Sequence, residues 1–312
     1  MKQNKILVTG ATGFLGKRVC RLLEKRGLTF DQTSLSLGCD LRDATSTHEL
    51  FARLRPSNVI NCAAFVGGIQ FGYKHSADLF RNNLQMMLNL FDCAQKYGIQ
   101  RIVNPISNCA YPASATLFKE EQFWDGPLHE SVMVYGFVRK ASWVGAQAYA
   151  TQHGLDVINL IMSNMYGPED HFEEERSHAL GALVMKFARA KKLGLPEVVI
   201  WGSGKPVREW LHVDDGAQAL IRGLTAPRCD QPVNIGVGRG ISILAMAEMI
   251  KREIGYTGRL VLDTSKPDGA PYKTMDGSRG KALLNWSPEI DFKDGVRATI
   301  HWYQEQEAHG SN

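Results

Sequence analysis

Tyr135 and Arg139 are the residues whose types and spacing most directly indicate chemistry. They lie four positions apart within residues 134–140, and Ser107 lies upstream at the end of a predicted strand. Residues i and i+4 share one face of a helix, so Arg139 rather than Lys140 is expected beside Tyr135 unless a π-bulge shifts the register. Hydride transfer to a carbonyl leaves an alkoxide that needs a proton. A tyrosine held by a cation can supply that proton, and a serine hydroxyl can bind the carbonyl oxygen. The three residues therefore predict reduction of a carbonyl.

A glycine-rich segment near the N-terminus predicts where the hydride donor binds. It follows an apolar strand at residues 6–9 and opens a helix predicted over residues 14–25. Absent side chains let the turn tighten and let a pyrophosphate approach the N–H groups of the helix N-terminus. A tight turn that binds nothing is the alternative, but the strand–loop–helix context favours a dinucleotide. The expected contacts are Gly10, Thr12, Gly13, Phe14, Leu15 and Gly16.

The choice between the two nicotinamide dinucleotides depends on the tip of the second strand, near Ser34. An acidic residue there would bind the adenosine ribose hydroxyls of NAD, but the sequence offers only threonine and serines. A small neutral tip leaves room for a 2′-phosphate, although it supplies no cation, so we expect NADP(H) rather than NAD(H). Asp40 and Leu41, at the end of a third strand region, suit adenine contact, with a solvated loop as the alternative. Ala63 and Ala64 end the next strand with the small residues that a nearby cofactor requires.

Composition limits the class of protein. The chain has 312 residues and a net charge of +4 without a basic run, so nucleic acid is not an expected partner. No stretch approaches the ~20 apolar residues of a membrane span, and no signal-peptide pattern precedes the first strand. Six scattered cysteines without CxxC or Cys/His pairs argue against a disulfide framework and against a metal site. We expect a cytoplasmic enzyme without a metal.

The order of apolar and amphipathic stretches predicts the fold class. Short strands alternate with helices in the first half, the longest helices being predicted over residues 77–97 and 135–153. This pattern predicts an α/β fold, with a Rossmann-type doubly wound parallel sheet and a smaller C-terminal α/β substrate lobe. Residues 1–165 form the expected NAD(P)-binding domain and 166–312 mainly the substrate lobe. A segment at about 211–236 is expected to return to the first domain.

Several further segments resemble one family. They are residues 61–64, 66–69, 107–112, 166–172, 201–215 and 265–269. Together they are similar to the GDP-L-fucose synthase family of extended short-chain dehydrogenase/reductases, from about Lys5 to Tyr303. The resemblance implies an enzyme that epimerises a GDP-4-keto-6-deoxy sugar at C3 and C5 and reduces it at C4. It also implies a homodimer formed through the two long helices.

The resemblance implies a role for several residues. Ser107 and Tyr135 would serve the reduction, and Cys109 and His178 would be the acid/base pair of the epimerisations. A thiol and an imidazole suit that task because both can have a pKa near neutrality. Their alternatives are a buried apolar cysteine and a structural histidine. Among substrate contacts, Arg208 and Lys273 would bind the diphosphate, Trp201 the base and Asn164 a further group; a core tryptophan is the alternative for Trp201.

Two departures from the family pattern leave other functions open. Arg139 replaces the usual lysine, and threonine and serines replace the arginines that usually bind the NADP phosphate. One alternative is a related nucleotide-sugar epimerase or 4-reductase, acting on a GDP-keto-heptose or another substrate with tightly bound NAD(H). The other is a catalytically impaired NAD(P)-binding protein. Retention of Cys109 and His178 favours an active epimerase.

Overall fold

The computed structural model describes residues 5–173, 176–266, 268 and 271–309. The strands in chain order are β1 (Ile6–Thr9), β2 (Phe30–Thr33), β3 (Asn58–Asn61), β4 (Arg101–Ser107), β5 (Leu117–Phe118), β6 (Asp156–Met162), β7 (Asn164–Tyr166), β8 (Glu197–Trp201), β9 (Val207–His212), β10 (Val233–Ile235), β11 (Gly240–Ser242), β12 (Arg259–Asp263) and β13 (Tyr272–Met275). The α-helices are α1 (Phe14–Lys25), α2 (Ala44–Leu54), α3 (Ile69–Lys74), α4 (Ser76–Tyr97), α5 (Met133–His153), α6 (Ala179–Leu193), α7 (Val213–Gly223), α8 (Ile243–Ile254), α9 (Ser278–Leu284) and α10 (Phe292–His309).

Six parallel strands form the main sheet, in the order β10–β6–β4–β3–β1–β2. Helices α1 and α7 cover one face, and α2, α4 and α5 cover the other. Strands covered on both faces need apolar residues throughout, which explains the unbroken burial of β1. The strand order reverses between β1 and β3, where ligands bind beyond the carboxyl ends of the strands. The predicted doubly wound Rossmann-type sheet is confirmed.

A second set of strands builds the smaller C-terminal part. Strands β11, β9, β13 and β5 form one sheet, with β7 added beside β9, and β8 pairs with β12. Helices α6, α8 and α10 enclose a separate hydrophobic cluster with these strands. Strand β10 lies in the main sheet and α7 packs on α1, although both come after residue 166. In the described part of the chain, no helix has the length and apolar character needed to cross a bilayer.

One predicted strand is absent. Residues 40–43 were expected to end a third strand, but they form the turn ahead of α2. Gly38 adopts a left-handed conformation at φ 89°, which interrupts any extended run. Asp43 instead caps α2 by accepting a hydrogen bond from Ser46 N at 2.6 Å. Two positions of the family-like segment 265–269, Pro267 and Gly269, lie outside the described residues, as do residues 1–4.

Candidate active site

The glycine-rich loop forms a cradle that side chains would fill. Gly10 has φ +62°, and a Cβ there would lie 2.5 Å from the carbonyl carbon of Cys62. A Cβ on Gly16 would collide with the carbonyl oxygen of Gly10. Gly13 precedes α1 without a side-chain cap, and the first turn of α1 carries no acidic residue. The backbone N–H groups therefore remain available to an anion, and the cradle fits the pyrophosphate of a dinucleotide.

Three hydroxyl groups meet at the tip of β2. Thr12 Oγ1 lies 3.0 Å from Ser34 Oγ and 2.9 Å from Ser36 Oγ, and the two serine oxygens lie 3.0 Å apart. The nearby Asp40 carboxylate is bound by the Arg42 guanidinium at 2.7–3.1 Å, which lowers the pKa of Asp40. This hydroxyl cluster is thus polar but uncharged.

The other predicted cofactor contacts divide into two kinds. Ala63 follows β3, and its backbone N lies against Gly10, beside the cradle. The side chains of Leu15 and Leu41 are buried in the hydrophobic clusters on either face of the main sheet. Those two residues can therefore meet a cofactor only through their backbone. Phe14 is half-buried against the same cluster as Leu15, and Ala64 is exposed.

The structure places Arg139, and not Lys140, beside Tyr135. Arg139 Nη2 donates to the Tyr135 hydroxyl at 2.9 Å, and the guanidinium carbon lies 4.8 Å from the ring centroid. Lys140 points elsewhere: its Nζ donates to the Phe123 carbonyl and lies 4.3 Å from the Trp124 ring centroid. Residues 135 and 139 share a face because α5 is a regular helix here. A buried guanidinium thus holds the phenol oxygen.

Ser107 and Cys109 come together where β4 ends. Residues 108–110 form a 3₁₀ turn, and Ser107 Oγ accepts a hydrogen bond from Cys109 N at 3.2 Å. Gly136 packs directly against this turn, since a Cβ there would collide with the Cys109 carbonyl oxygen. The first turn of α5, which carries Tyr135, therefore contacts the turn that carries Cys109. Gly136 was not among the predicted site residues, although a glycine inside the first turn of a long helix is a recognisable signal.

Asn83 on α4 is a second residue that the sequence analysis missed. Its Oδ1 accepts from Phe65 N at 3.1 Å and lies 3.5 Å from Arg139 Nη2, while its Nδ2 donates to the Phe65 carbonyl at 2.8 Å. Asn83 is buried, so it connects Arg139 to the segment that follows β3 beside the cofactor cradle. Its contacts join segments far apart in sequence, so no local sequence pattern predicts them.

His178 lies immediately before α6. The residue is exposed on one side, but surrounding protein excludes water from the other sides and lowers the pKa of His178, with a further contribution from His171. A lowered pKa leaves the imidazole neutral near pH 7 and able to accept a proton. Within the described residues, the ring of His178 makes no hydrogen bond to Cys109.

Arg208 and Lys273 are neighbours on paired strands. They face each other in the register of β9 and β13. Burial lowers the pKa of both, and Cys109 and Arg208 also act on the pKa of Lys273, which places all three groups near one another. Two desolvated cations side by side favour an anionic ligand between them. Asn164 is close by: its Nδ2 donates to the carbonyl of Glu209, the residue after Arg208, at 3.0 Å.

Trp201 is not a core residue. Its relative exposure is 59%, so the alternative of a buried tryptophan is wrong. Side chains alternate between the two faces of β8, and Trp201 lies on the face opposite the buried Val198 and Ile200. Two ammonium groups flank the ring, Lys186 Nζ at 5.7 Å and Lys266 Nζ at 5.6 Å from the centroid. Neither lysine was among the predicted site residues. An exposed aromatic ring near two cations suits a base attached to phosphates.

Comparison with known proteins agrees with this geometry. A model of the NAD dependent epimerase/dehydratase family matches residues 6–236. The chain is 38% identical to a putative GDP-L-fucose synthase 2 of Arabidopsis thaliana over 97% of this chain and 93% of that protein.

Solved structures of enzymes named for GDP-sugars also match this chain. A GDP-6-OMe-4-keto-L-xylo-heptose reductase from C. jejuni matches with a TM-score of 0.90 at 27% identity, covering 98% of this chain and 99% of that one. A GDP-L-fucose synthetase from Naegleria fowleri bound to NADP matches with a TM-score of 0.89 at 29% identity, covering 99% and 96%. The chain is therefore an enzyme of the NAD dependent epimerase/dehydratase family and, within it, belongs to the GDP-L-fucose synthase family of extended short-chain dehydrogenase/reductases.

Proposed function

We propose that this enzyme epimerises a GDP-4-keto-6-deoxy sugar at C3 and C5 and reduces it at C4, with NADPH as the reductant. The observation that carries this proposal is the contact between the first turn of α5 and the turn at residues 108–110. It brings a tyrosine–cation pair and a serine–cysteine pair to one end of β4. Two sets of groups at one site match two reactions on one sugar.

The reduction needs a proton donor and a site for the carbonyl oxygen. A dinucleotide held at the cradle of Gly10 and Gly16 would supply the hydride to C4. The Ser107 hydroxyl orients the C4 oxygen, and Tyr135 donates its phenolic proton to that oxygen. Arg139 then stabilises the phenolate through its 2.9 Å hydrogen bond.

The epimerisations need two groups on opposite faces of the sugar. Protons on the carbons beside the C4 ketone are acidic, so a side chain of intermediate pKa can remove one. Cys109 and His178 form this acid/base pair, one removing a proton while the other returns one to the opposite face. Support comes from the lowered pKa of His178 and from the position of Lys273 near Cys109.

The cation pair and the exposed tryptophan are the proposed nucleotide site. Arg208 and Lys273 bind the diphosphate, and Trp201 stacks on the base between two lysines. Asn164 lies next to this strand pair and contributes a polar contact to the sugar. Guanine is proposed because the relatives are named for GDP-sugars.

The hydroxyl cluster at the tip of β2 supports NADP(H) over NAD(H). Thr12, Ser34 and Ser36 can each donate to a 2′-phosphate, and no acidic side chain of the tip repels one. The negative charge of Asp40 is compensated by its hydrogen bonds from Arg42. The NADP-bound relative gives further support.

One incubation tests the function. The protein is mixed with GDP-4-keto-6-deoxymannose in deuterated water with NADPH or NADH, and product mass and configuration are read. Oxidation of the cofactor with two deuterons incorporated is expected, fastest with NADPH. Cys109→Ser is expected to slow exchange at C3 and C5 by about 100-fold while direct reduction persists. Exchange without reduction would mean that the reductase half is lost, and no reaction with either cofactor would exclude this substrate.

A second candidate substrate is a GDP-4-keto-heptose. The structural match to a heptose reductase favours it, because that protein covers nearly the whole chain. The same assay with a GDP-4-keto-heptose decides between them: the native substrate is the sugar with the higher kcat/KM.

We also propose a homodimer in the cytoplasm. Exposed apolar side chains cluster on α4 and α5, namely Phe80, Leu88, Phe137 and Val144. The rings of Phe80 and Phe137 stack at 6.3 Å across the two helices, which joins α4 and α5 in one exposed apolar patch. All six cysteines are free thiols, which suits a reducing compartment.

A further inference from the structure

A row of polar side chains crosses the centre of the main sheet under α5. Its members are Thr9 on β1, Asn61 on β3, Asn104 on β4 and Asn159 on β6, and these strands are adjacent. Thr9 faces Asn61, and Asn104 faces Asn159, in the strand register. The row two residues earlier on the same four strands is wholly apolar and belongs to the core, namely Leu7, Val59, Ile102 and Val157. A polar layer therefore interrupts an apolar sheet face.

Hydrogen bonds join this row from end to end. Thr9 Oγ1 donates to Asn61 Oδ1 at 2.7 Å, and Asn61 Nδ2 donates to Asn104 Oδ1 at 3.1 Å. Asn104 Nδ2 then donates both to Asn159 Oδ1 at 2.9 Å and to Ser142 Oγ on α5 at 3.0 Å. Asn104 is thus the junction at which the row leaves the sheet and reaches the helix.

The row is deeply buried except at Asn61, which is partly exposed, so its polarity has a cost. Thr9 has no exposed surface, Asn104 and Asn159 are each 1% exposed, and Ser142 is 6% exposed. Burying amides and hydroxyls is unfavourable unless they bond to one another, and a bonded network then fixes one arrangement of its members. Pro105 follows Asn104 and has no N–H for a backbone ladder. The backbone pairing of β3 with β4 ends at Ile60 and Val103, so side chains join the strands beyond that point.

The hydrogen-bonded chain runs from Thr9, beside the dinucleotide cradle, to Ser142 on α5, the helix that carries Tyr135 and Arg139. Thr9 immediately precedes Gly10, the first residue of the dinucleotide cradle. Ser142 lies three residues after Arg139 and seven after Tyr135, on the same face of α5. A bond from Asn104 to Ser142 therefore fixes the rotation and the height of α5 relative to the strands that carry the cofactor.

We propose that Asn104 and Ser142 are positioning residues for hydride transfer, setting Tyr135 and Arg139 against the nicotinamide. This inference rests on the proposed function. Because α5 carries the tyrosine–arginine pair but neither Cys109 nor His178, loosening α5 affects the reduction more than the proton exchange. A small misplacement of reacting groups is enough to slow a chemical step severely.

Ser142→Ala removes the acceptor on α5 and tests the proposal with little loss of volume. Reduction and deuterium exchange are measured on the same sample, together with the amide hydrogen exchange of residues 133–146. Ser142→Ala is expected to slow reduction about 10-fold relative to deuterium exchange, and Ser142→Thr, which keeps the hydroxyl, is expected to restore the ratio.

The matched control is Thr299→Val, because Thr299 is fully buried on α10 and donates to the Gly295 carbonyl at 2.7 Å in the other hydrophobic cluster. The control is expected to change both reactions equally.

Two results would overturn the proposal: an equal fall of both reactions in Ser142→Ala, or no fall in either. If the wild-type protein catalyses neither reaction, the proposed function fails, and the amide measurement still decides the positioning role. Residues 133–146 should then exchange about 10-fold faster in Ser142→Ala than in Thr299→Val. Equal amide rates in the two variants would remove the row from any role in holding α5.

Discussion

At the scale of single residues, the Tyr135–Arg139 pair is the main departure from the family pattern. A guanidinium keeps the charge beside the phenol oxygen but offers a planar fork in place of a compact ammonium. Arg139 has only 8% of its surface exposed and also lies 3.5 Å from Asn83 Oδ1, so it is held on two sides. A guanidinium therefore lies beside the phenol oxygen, where we propose that it takes the electrostatic task of the usual lysine.

Substitution at position 139 tests this directly. Arg139→Ala is expected to slow reduction about 100-fold, since the phenolate loses its stabilising charge, while Arg139→Lys is expected to equal or exceed the wild-type rate. The rate of NADPH oxidation measures both. Lys140→Met is the control, because Lys140 bonds to the Phe123 carbonyl and lies on another face. If Lys140→Met abolished reduction and Arg139→Ala did not, the two residues would exchange roles.

Asp170 makes stability depend on pH. It lies in the loop between β7 and α6, with one oxygen accepting from His171 N at 2.7 Å and the other without a partner among the described residues. Burial raises the pKa of Asp170 from 3.8 to about 7. Between about pH 4 and pH 7, Asp170 is therefore protonated in the folded state and ionised in the unfolded state. Its contribution to stability is complete below about pH 4 and is lost as pH rises through 7.

Asp170→Asn removes this dependence while keeping the acceptor for His171 N. The wild-type free energy of unfolding, relative to that of the variant, is expected to fall between about pH 5 and pH 8.5 by at most about 3 kcal/mol. Urea unfolding of both proteins across this range measures it. A relative stability that rose with pH would contradict the assignment.

At the scale of elements, sequence patterns were enough to predict features that depend on residues close together in the chain. Helix α1 spans the residues predicted for it, and the contact of Tyr135 with Arg139 follows from helical periodicity alone. Contacts made across the fold had no such signal. Asn83 reaches Arg139 over 56 residues, and elements distant in sequence cover the other face of β8 and leave that of Trp201 exposed. The strand predicted to end at residues 40–43 is absent because Gly38, with its left-handed conformation, turns the chain.

The packing of α1 against the cradle gives a prediction for this element. Gly16→Ala would push α1 away from the Gly10 carbonyl and weaken cofactor binding by about 10-fold or more, because the helix N-terminus no longer meets the pyrophosphate. Titration with NADPH followed by fluorescence measures the affinity. Gly72→Ala is the matched control, since its Cβ would meet only Leu79 Cδ1 at 3.7 Å in ordinary contact. Unchanged affinity in Gly16→Ala would mean that the cradle does not hold the cofactor.

At the scale of the whole molecule, the apolar face of α4 and α5 predicts the state of assembly. Phe137 is 51% exposed and Phe80 is 45% exposed, and water contact with both stacked rings is unfavourable. Light scattering at micromolar concentration is expected to give a dimer for the wild-type protein and a monomer for Phe137→Glu. Leu193→Glu, at an equally exposed apolar site on α6, is expected to remain dimeric. A monomeric wild-type protein would show that this face has another role.

The hydroxyl cluster of Thr12, Ser34 and Ser36 has a consequence for the surroundings in which the enzyme can work. A 2′-phosphate held by hydroxyl groups is bound by contacts of about 3 Å, whereas dissolved ions screen charges over about 8 Å at physiological ionic strength. The ratio of kcat/KM for NADPH to that for NADH is therefore expected to change less than about twofold between roughly 50 and 500 mM salt. A steep decline of that ratio with salt would reveal a cation at the phosphate. With the expected constant ratio, the enzyme's preference for NADPH would be maintained through the osmotic and ionic changes that a growing cell undergoes.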